Sequence, residues 1–81
     1  MKLFFTERFE RSFRDVPSDV KRAVAKQARF LEVNLRHPSL KAKKYDEAND
    51  VWQARVNRDW RFYFQITGDT YYLIDIIPHP K

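Results

Sequence analysis

Three arginines, Arg55, Arg58 and Arg61, stand among five aromatic residues in the thirteen-residue stretch WQARVNRDWRFYF, Trp52 to Phe64. A guanidinium is planar and always charged, and it can clamp two phosphate oxygens. Near the end of the sequence comes His79, whose imidazole can exchange a proton near neutral pH. Tyr63 can stack on a base or donate its hydroxyl. Such a set suits metal-free cleavage of RNA, in which the ribose 2′-hydroxyl attacks the neighbouring phosphate. Arginine would stabilise the pentacovalent transition state, and an acid/base group would move the protons.

Other chemistries find little support. Two histidines and scattered carboxylates lack metal-ligand spacing, so neither a metal nor a cofactor is expected. The sole glycine, Gly68, excludes a glycine-rich phosphate loop and a nucleophile elbow. With no cysteine there is no thiol nucleophile and no disulfide framework.

The elements that must position these residues belong to one domain, residues 1–81, because a second core could not offset the entropy of ordering so short a chain. Sixteen Lys and Arg against eleven Asp and Glu leave a net charge of +5, which favours a polyanionic partner such as RNA, DNA or an acidic protein. No apolar run approaches the ~20 residues of a membrane span, and charge breaks MKLFFTERF too early for a signal peptide. A soluble, cytoplasmic protein is expected, with no membrane partner.

KLFF reads as a strand, and Thr6 as the N-cap of a short helix that carries Phe9 and Phe13 one turn apart. After Val16-Pro17-Ser18, with Ser18 or Asp15 as a possible cap, a second helix is expected from about Asp19 to Arg36. Val20, Val24, Ala28, Leu31 and Leu35 form its buried stripe, and it stops near His37-Pro38. Arg22, Lys26, Arg29 and Arg36 make a basic ridge on another face, and His37 is expected to cap the helix end. His37 to Asp50 reads as a polar loop whose Lys41, Lys43 and Lys44 could contact RNA phosphates. Three strands follow: Trp52 to Val56, Trp60 to Ile66 and Tyr71 to Ile77.

Register then separates core from site. A three-residue loop at Asn57-Arg58-Asp59 pairs Val56 with Trp60, Ala54 with Phe62 and Trp52 with Phe64, an entirely apolar face. The other face sets Arg55 opposite Arg61 and Gln53 opposite Tyr63. A three-residue loop at Gly68-Asp69-Thr70 pairs Phe64 with Ile74, Phe62 with Ile76, Tyr63 with Asp75 and Arg61 with Ile77. His79 lies two residues beyond Ile77, on the same side if the chain stays extended. Like charges opposed across a sheet are destabilising unless an anion or a carboxylate lies between them. Two accounts fit: Asp75 bridges the arginines or both splay into water, or the pair is a phosphate site.

The order strand, two helices, three-stranded antiparallel meander, together with HPSLKAKK, WQARVNRDWRFYF and the terminal IIPHP, resembles the RelE/ParE superfamily of type II toxin-antitoxin toxins. The resemblance covers nearly the whole chain and implies an α+β fold with two helices packed on a small antiparallel sheet. Its ribonuclease members cleave mRNA in the ribosomal A site, and its ParE-like members inhibit DNA gyrase. By position, Arg61 matches the arginine used in phosphate stabilisation, Arg55 a basic residue on the preceding strand, and His79 a C-terminal catalytic histidine or arginine. Gln53, Tyr63, Lys41, Lys43 and Lys44 are then candidate substrate contacts and Asp75 a supporting group. There are departures. Gln53 stands where some members have lysine, only Pro80 and Lys81 follow His79 where an aromatic residue often does, and no clear counterpart of a glutamate base is found, although Asp46 and Glu47 lie nearby. The implied function is that of a ribosome-dependent mRNA endonuclease toxin whose partners are the ribosome, mRNA and a cognate antitoxin covering the basic face. The alternatives are a gyrase-inhibiting toxin and a catalytically decayed antitoxin-binding domain.

Overall fold

The computed structural model describes residues 1–79. Pro80 and Lys81, which stand where the resemblance would place an aromatic residue, lie outside the described residues. Along the chain come β1 (Lys2–Phe5), α1 (Glu7–Arg14), α2 (Ser18–Val33), a single 3-10 turn (Pro38–Leu40), β2 (Lys43–Asp46), β3 (Val51–Arg55), β4 (Trp60–Thr67) and β5 (Thr70–Pro78). The strands form one sheet in the order β1-β5-β4-β3-β2. The sheet is mixed rather than wholly antiparallel, because the two-helix connection returns the chain so that β1 runs parallel to β5.

Local chemistry accounts for most of these boundaries. Thr6 Oγ1 accepts from Phe9 N at 3.2 Å and donates to Leu73 O at 2.8 Å, so one hydroxyl caps α1 and ties it to β5. Pro17 occupies the cap position of α2 with no side-chain cap, so neither Asp15 nor Ser18 serves there. The helix ends at Val33, earlier than its periodicity suggests. Asn34 turns extended, and its Oδ1 accepts from Arg36 N at 3.0 Å. Leu35 reaches the core from this loop, and Arg36 leaves the basic ridge. His37 caps the turn that follows instead of α2: its Nδ1 accepts from Ser39 N at 3.1 Å, and its ring stacks on Phe30.

The expected loop from His37 to Asp50 contains β2, an edge strand on β3. Lysines are common on edge strands because they discourage further pairing, so a lysine-rich strand is easily read as a loop.

Ala54, Val56, Phe62, Phe64, Leu73 and Ile76 of the sheet pack against Val20, Val24 and Leu31 of α2 and Phe9 of α1. The β3–β4 register is the expected one: Trp52 pairs with Phe64, Ala54 with Phe62, Gln53 with Tyr63, and Arg55 with Arg61. The β4–β5 register differs at its turn. Thr67 pairs with Thr70 across a two-residue loop in which Gly68 takes a φ of 59°, and Phe64 meets Leu73 instead of Ile74. A bulge at Ile74 then restores the expected pairs Tyr63 with Asp75, Phe62 with Ile76 and Arg61 with Ile77. Leu73 and Ile76 are both buried yet three residues apart, so strict alternation would have sent one of them to the outer face.

Candidate functional site

Two rows of side chains cross the face of the sheet opposite the core. One holds Lys43, Gln53, Tyr63 and Asp75; the next holds Arg55, Arg61 and Ile77. Arg61 Nη1 donates to Asn57 O at 2.6 Å and to Trp60 O at 2.9 Å, which pins the guanidinium to the β3–β4 loop. Asn57 shapes that loop, since its Oδ1 accepts from Asp59 N at 2.9 Å and from Trp60 N at 3.0 Å. Burial, with the positive charge of Arg55, pushes Arg61 below the usual arginine value. Among the described residues Arg61 Nε and Nη2 make no hydrogen bond, which leaves a bidentate pair of donors unused.

Asp75 does not bridge the arginines. Its Oδ1 accepts from Ser12 Oγ at 2.6 Å, and its Oδ2 accepts from Arg8 Nε at 3.2 Å, so it fastens α1 to β5. The like-charged pair thus lacks that carboxylate. His79 is exposed, and its backbone N–H donates to Asp59 O at 2.7 Å. His79 therefore stays beside the loop that anchors Arg61.

The proposed substrate contacts are not all brought together. Gln53 and Tyr63 are buried, only 8% and 7% exposed, and the Tyr63 hydroxyl donates to Gln53 Oε1 at 3.4 Å. Burial, and next the Tyr45 hydroxyl, raise the Tyr63 phenol above its ordinary value and keep it protonated. Lys43 is exposed on the arginine face. Lys44 pairs with Asp50 and lies over the Trp52 ring on the other side of the sheet, its ammonium stabilised chiefly by the Asp50 hydrogen bond. Lys41 lies elsewhere, beside α2 and the β3–β4 loop.

Three residues passed over in the sequence matter here. Tyr45, 61% exposed, meets Tyr63 edge-on at 4.8 Å and is the accessible aromatic ring beside the arginine rows. The alternation of KKYD was its available signal. Asn57 organises the loop, and an Asn opening a hairpin loop was a usable clue. Arg8 pairs with Asp75 across 67 positions, and no local pattern announces that contact.

Among the described residues, no three His, Cys, Asp or Glu side chains converge to hold a metal ion, and no helix is long and apolar enough to cross a membrane.

No protein-family model and no curated protein matches the sequence. Solved structures do match in three dimensions. A YoeB/ParE toxin from Agrobacterium tumefaciens superposes with a TM-score of 0.81 at 15% identity, covering 99% of this chain and 100% of its own. The RelB-RelE antitoxin-toxin complex from Methanococcus jannaschii gives 0.77 at 16% identity, covering 93% and 88%. The intact E. coli RelBE toxin-antitoxin complex gives 0.74 at 17% identity, covering 99% and 98%. The chain has the fold of the RelE, ParE and YoeB toxins of type II toxin-antitoxin systems.

Proposed function

We propose that this protein is the toxin of a type II toxin-antitoxin system and acts as a ribosome-dependent mRNA endonuclease. The observation that carries this reading is the opposed pair Arg55 and Arg61, with Arg61 anchored by loop carbonyls and Asp75 committed to α1. An arginine held in place by backbone carbonyls is suited to the extra charge of a pentacovalent phosphate.

In the proposed reaction the ribose 2′-oxygen attacks phosphorus, the bond from phosphorus to the 5′-oxygen breaks, and a 2′,3′-cyclic phosphate forms. The 2′-hydroxyl loses its proton and the departing 5′-oxygen gains one. We assign His79 a part in this transfer, because its backbone bond to Asp59 keeps it beside the loop that anchors Arg61. Arg61 and Arg55 bind the non-bridging oxygens, and Tyr45 offers a ring on which a base can stack, with Tyr63, itself bonded to Gln53, edge-on against that ring.

The same face suits an antitoxin segment rich in Asp and Glu, which would relieve the repulsion of the arginines and block access to them. An apolar groove of about 310 Å³ between α1 and α2, lined by Phe5, Phe9, Phe13, Val24, Ala25 and Ala28, offers that partner hydrophobic contact as well.

Primer extension on mRNA after induction tests the reading. Cleavage within translated codons, dependent on ribosomes, is expected. Intact mRNA together with loss of DNA supercoiling activity would transfer the protein to the gyrase-inhibiting class.

A further inference from the structure

A cleft of about 360 Å³ opens between α2 and the β3–β4 loop, and Lys26, Lys41, Arg55 and Arg58 line it. The four cations come from separate segments: α2, the residue after the 3-10 turn, the end of β3, and the hairpin loop. No carboxylate joins them in the lining. Four cations on other parts of the surface are matched, Lys2 with Asp69, Arg8 with Asp75, Arg11 with Glu7 and Lys44 with Asp50. Among the described residues none of the four cleft cations belongs to an ion pair. Like charges gathered around a concavity focus a positive potential that an anion relieves.

The cleft is also built to keep its shape. Gln27, 4% exposed, donates from Nε2 to Ser39 O at 3.0 Å and to Arg55 O at 2.7 Å, while its Oε1 accepts from Ser39 Oγ at 2.9 Å. One buried amide thus locks α2, the 3-10 turn and β3 together. Lys41 holds a left-handed backbone with φ 45°, a conformation that side chains other than glycine enter at a cost. Asn57 lines the cleft and also supplies the carbonyl that anchors Arg61.

We propose that this cleft is a second phosphate subsite, which holds the RNA backbone next to the bond that Arg61 addresses. The proposal rests on the reading of the protein as an RNA-binding nuclease. Lys26, Lys41 and Arg58 address phosphate oxygens without reading bases, while Arg55 on the cleft's border serves the scissile phosphate, so the subsite contributes affinity and register and no sequence preference.

The test compares the parent with K26Q/R58Q and with K2Q/R11Q, a control that removes the same charge elsewhere. All four positions are exposed, and melting curves check that each variant is folded. Affinity for a short labelled single-stranded oligoribonucleotide is read by fluorescence anisotropy across a salt series. The slope of log affinity against log salt should flatten by about 1.4 in K26Q/R58Q, ~0.7 for each lost contact to a single strand, and stay parental in the control. An unchanged slope in K26Q/R58Q, or an equal flattening in the control, overturns the subsite. Cleavage is scored separately. A parent that cuts no mRNA but shows the cleft-dependent slope keeps the subsite and loses the nuclease reading; one that cuts, with the K26Q/R58Q slope parental, does the reverse.

Discussion

Arg61 Nη1 lies 2.6 Å from the carbonyl oxygen of Asn57, four residues earlier in the chain, so the loop that creates the β3–β4 register also aims the guanidinium that the register places opposite Arg55. Fold and site share one local contact. Loss of the side chain should still cost function far more than stability, because Asn57 Oδ1 holds the same loop through Asp59 N and Trp60 N without Arg61. Arg61→Ala is expected to lower single-turnover mRNA cleavage on the order of 10²-fold or more, with the melting curve close to that of the parent. Arg61→Lys should rescue little, since lysine keeps the charge but not the planar fork. A folded R61A protein that cuts like the parent would place the site elsewhere.

His79→Gln should abolish cleavage and leave ribosome binding near the parental level, because the arginines and lysines supply most of the phosphate affinity. Measured across roughly pH 5 to 9, the parent rate should change with pH. A flat profile would remove His79 from the proton transfers.

Asp75→Asn should weaken the fold more than the chemistry. The carboxylate accepts from Ser12 and Arg8 and so joins α1 to β5. Arg8 is largely solvent-exposed, so most of the expected loss, about 1–2 kcal/mol in denaturant unfolding, belongs to the charge-assisted bond from Ser12. Activity per folded molecule should fall only partly. A loss as deep as that of R61A would give Asp75 a role in the reaction.

Gln27→Leu removes the amide that satisfies the carbonyls of Ser39 and Arg55 and puts an apolar group in a buried polar pocket. Unfolding in urea should show a loss of about 2–4 kcal/mol, the sum expected for two buried acceptors left without donors. A loss within a few tenths of a kcal/mol would mean that water replaces the amide.

Asp46 gives the stability a dependence on acid. The side-chain amide of Asn49, and then its backbone N–H, hold the carboxyl below the ordinary aspartate range. A carboxyl with a depressed folded-state value contributes stability above its unfolded value of ~3.9, and that contribution disappears as pH falls through the folded value. Between about pH 5 and pH 2 the parent melting temperature should drop more than that of Asp46→Asn. Parallel curves would show that the Asn49 bonds do not favour the ionised form.

The Trp52 to Phe64 hairpin was legible because its information is local. A three-residue loop puts Trp52, Ala54, Val56, Trp60, Phe62 and Phe64 on one face, whereas a two-residue loop mixes apolar and charged side chains on both. Arg55 opposite Arg61 follows from that one choice. The cap at Thr6 and the apolar period of α2 are likewise short-range signals, carried by one side-chain bond or by 3.6-residue spacing.

Other features depended on groups far apart in sequence. Whether the chain bulges at Ile74 is decided by a core that needs both Leu73 and Ile76, and the short turn at Gly68 compensates for the added residue. KKYD becomes a strand because β3 presents a free edge to it, and Tyr45 then comes to cover Tyr63. Asp75 finds Arg8 across 67 positions and Gln27 finds the Arg55 carbonyl across 28. Spacing along a chain reports which side chains share a face of one element. Which face meets which is decided only when the elements pack, because a buried polar or charged group takes whatever partner the packed structure brings within hydrogen-bonding distance.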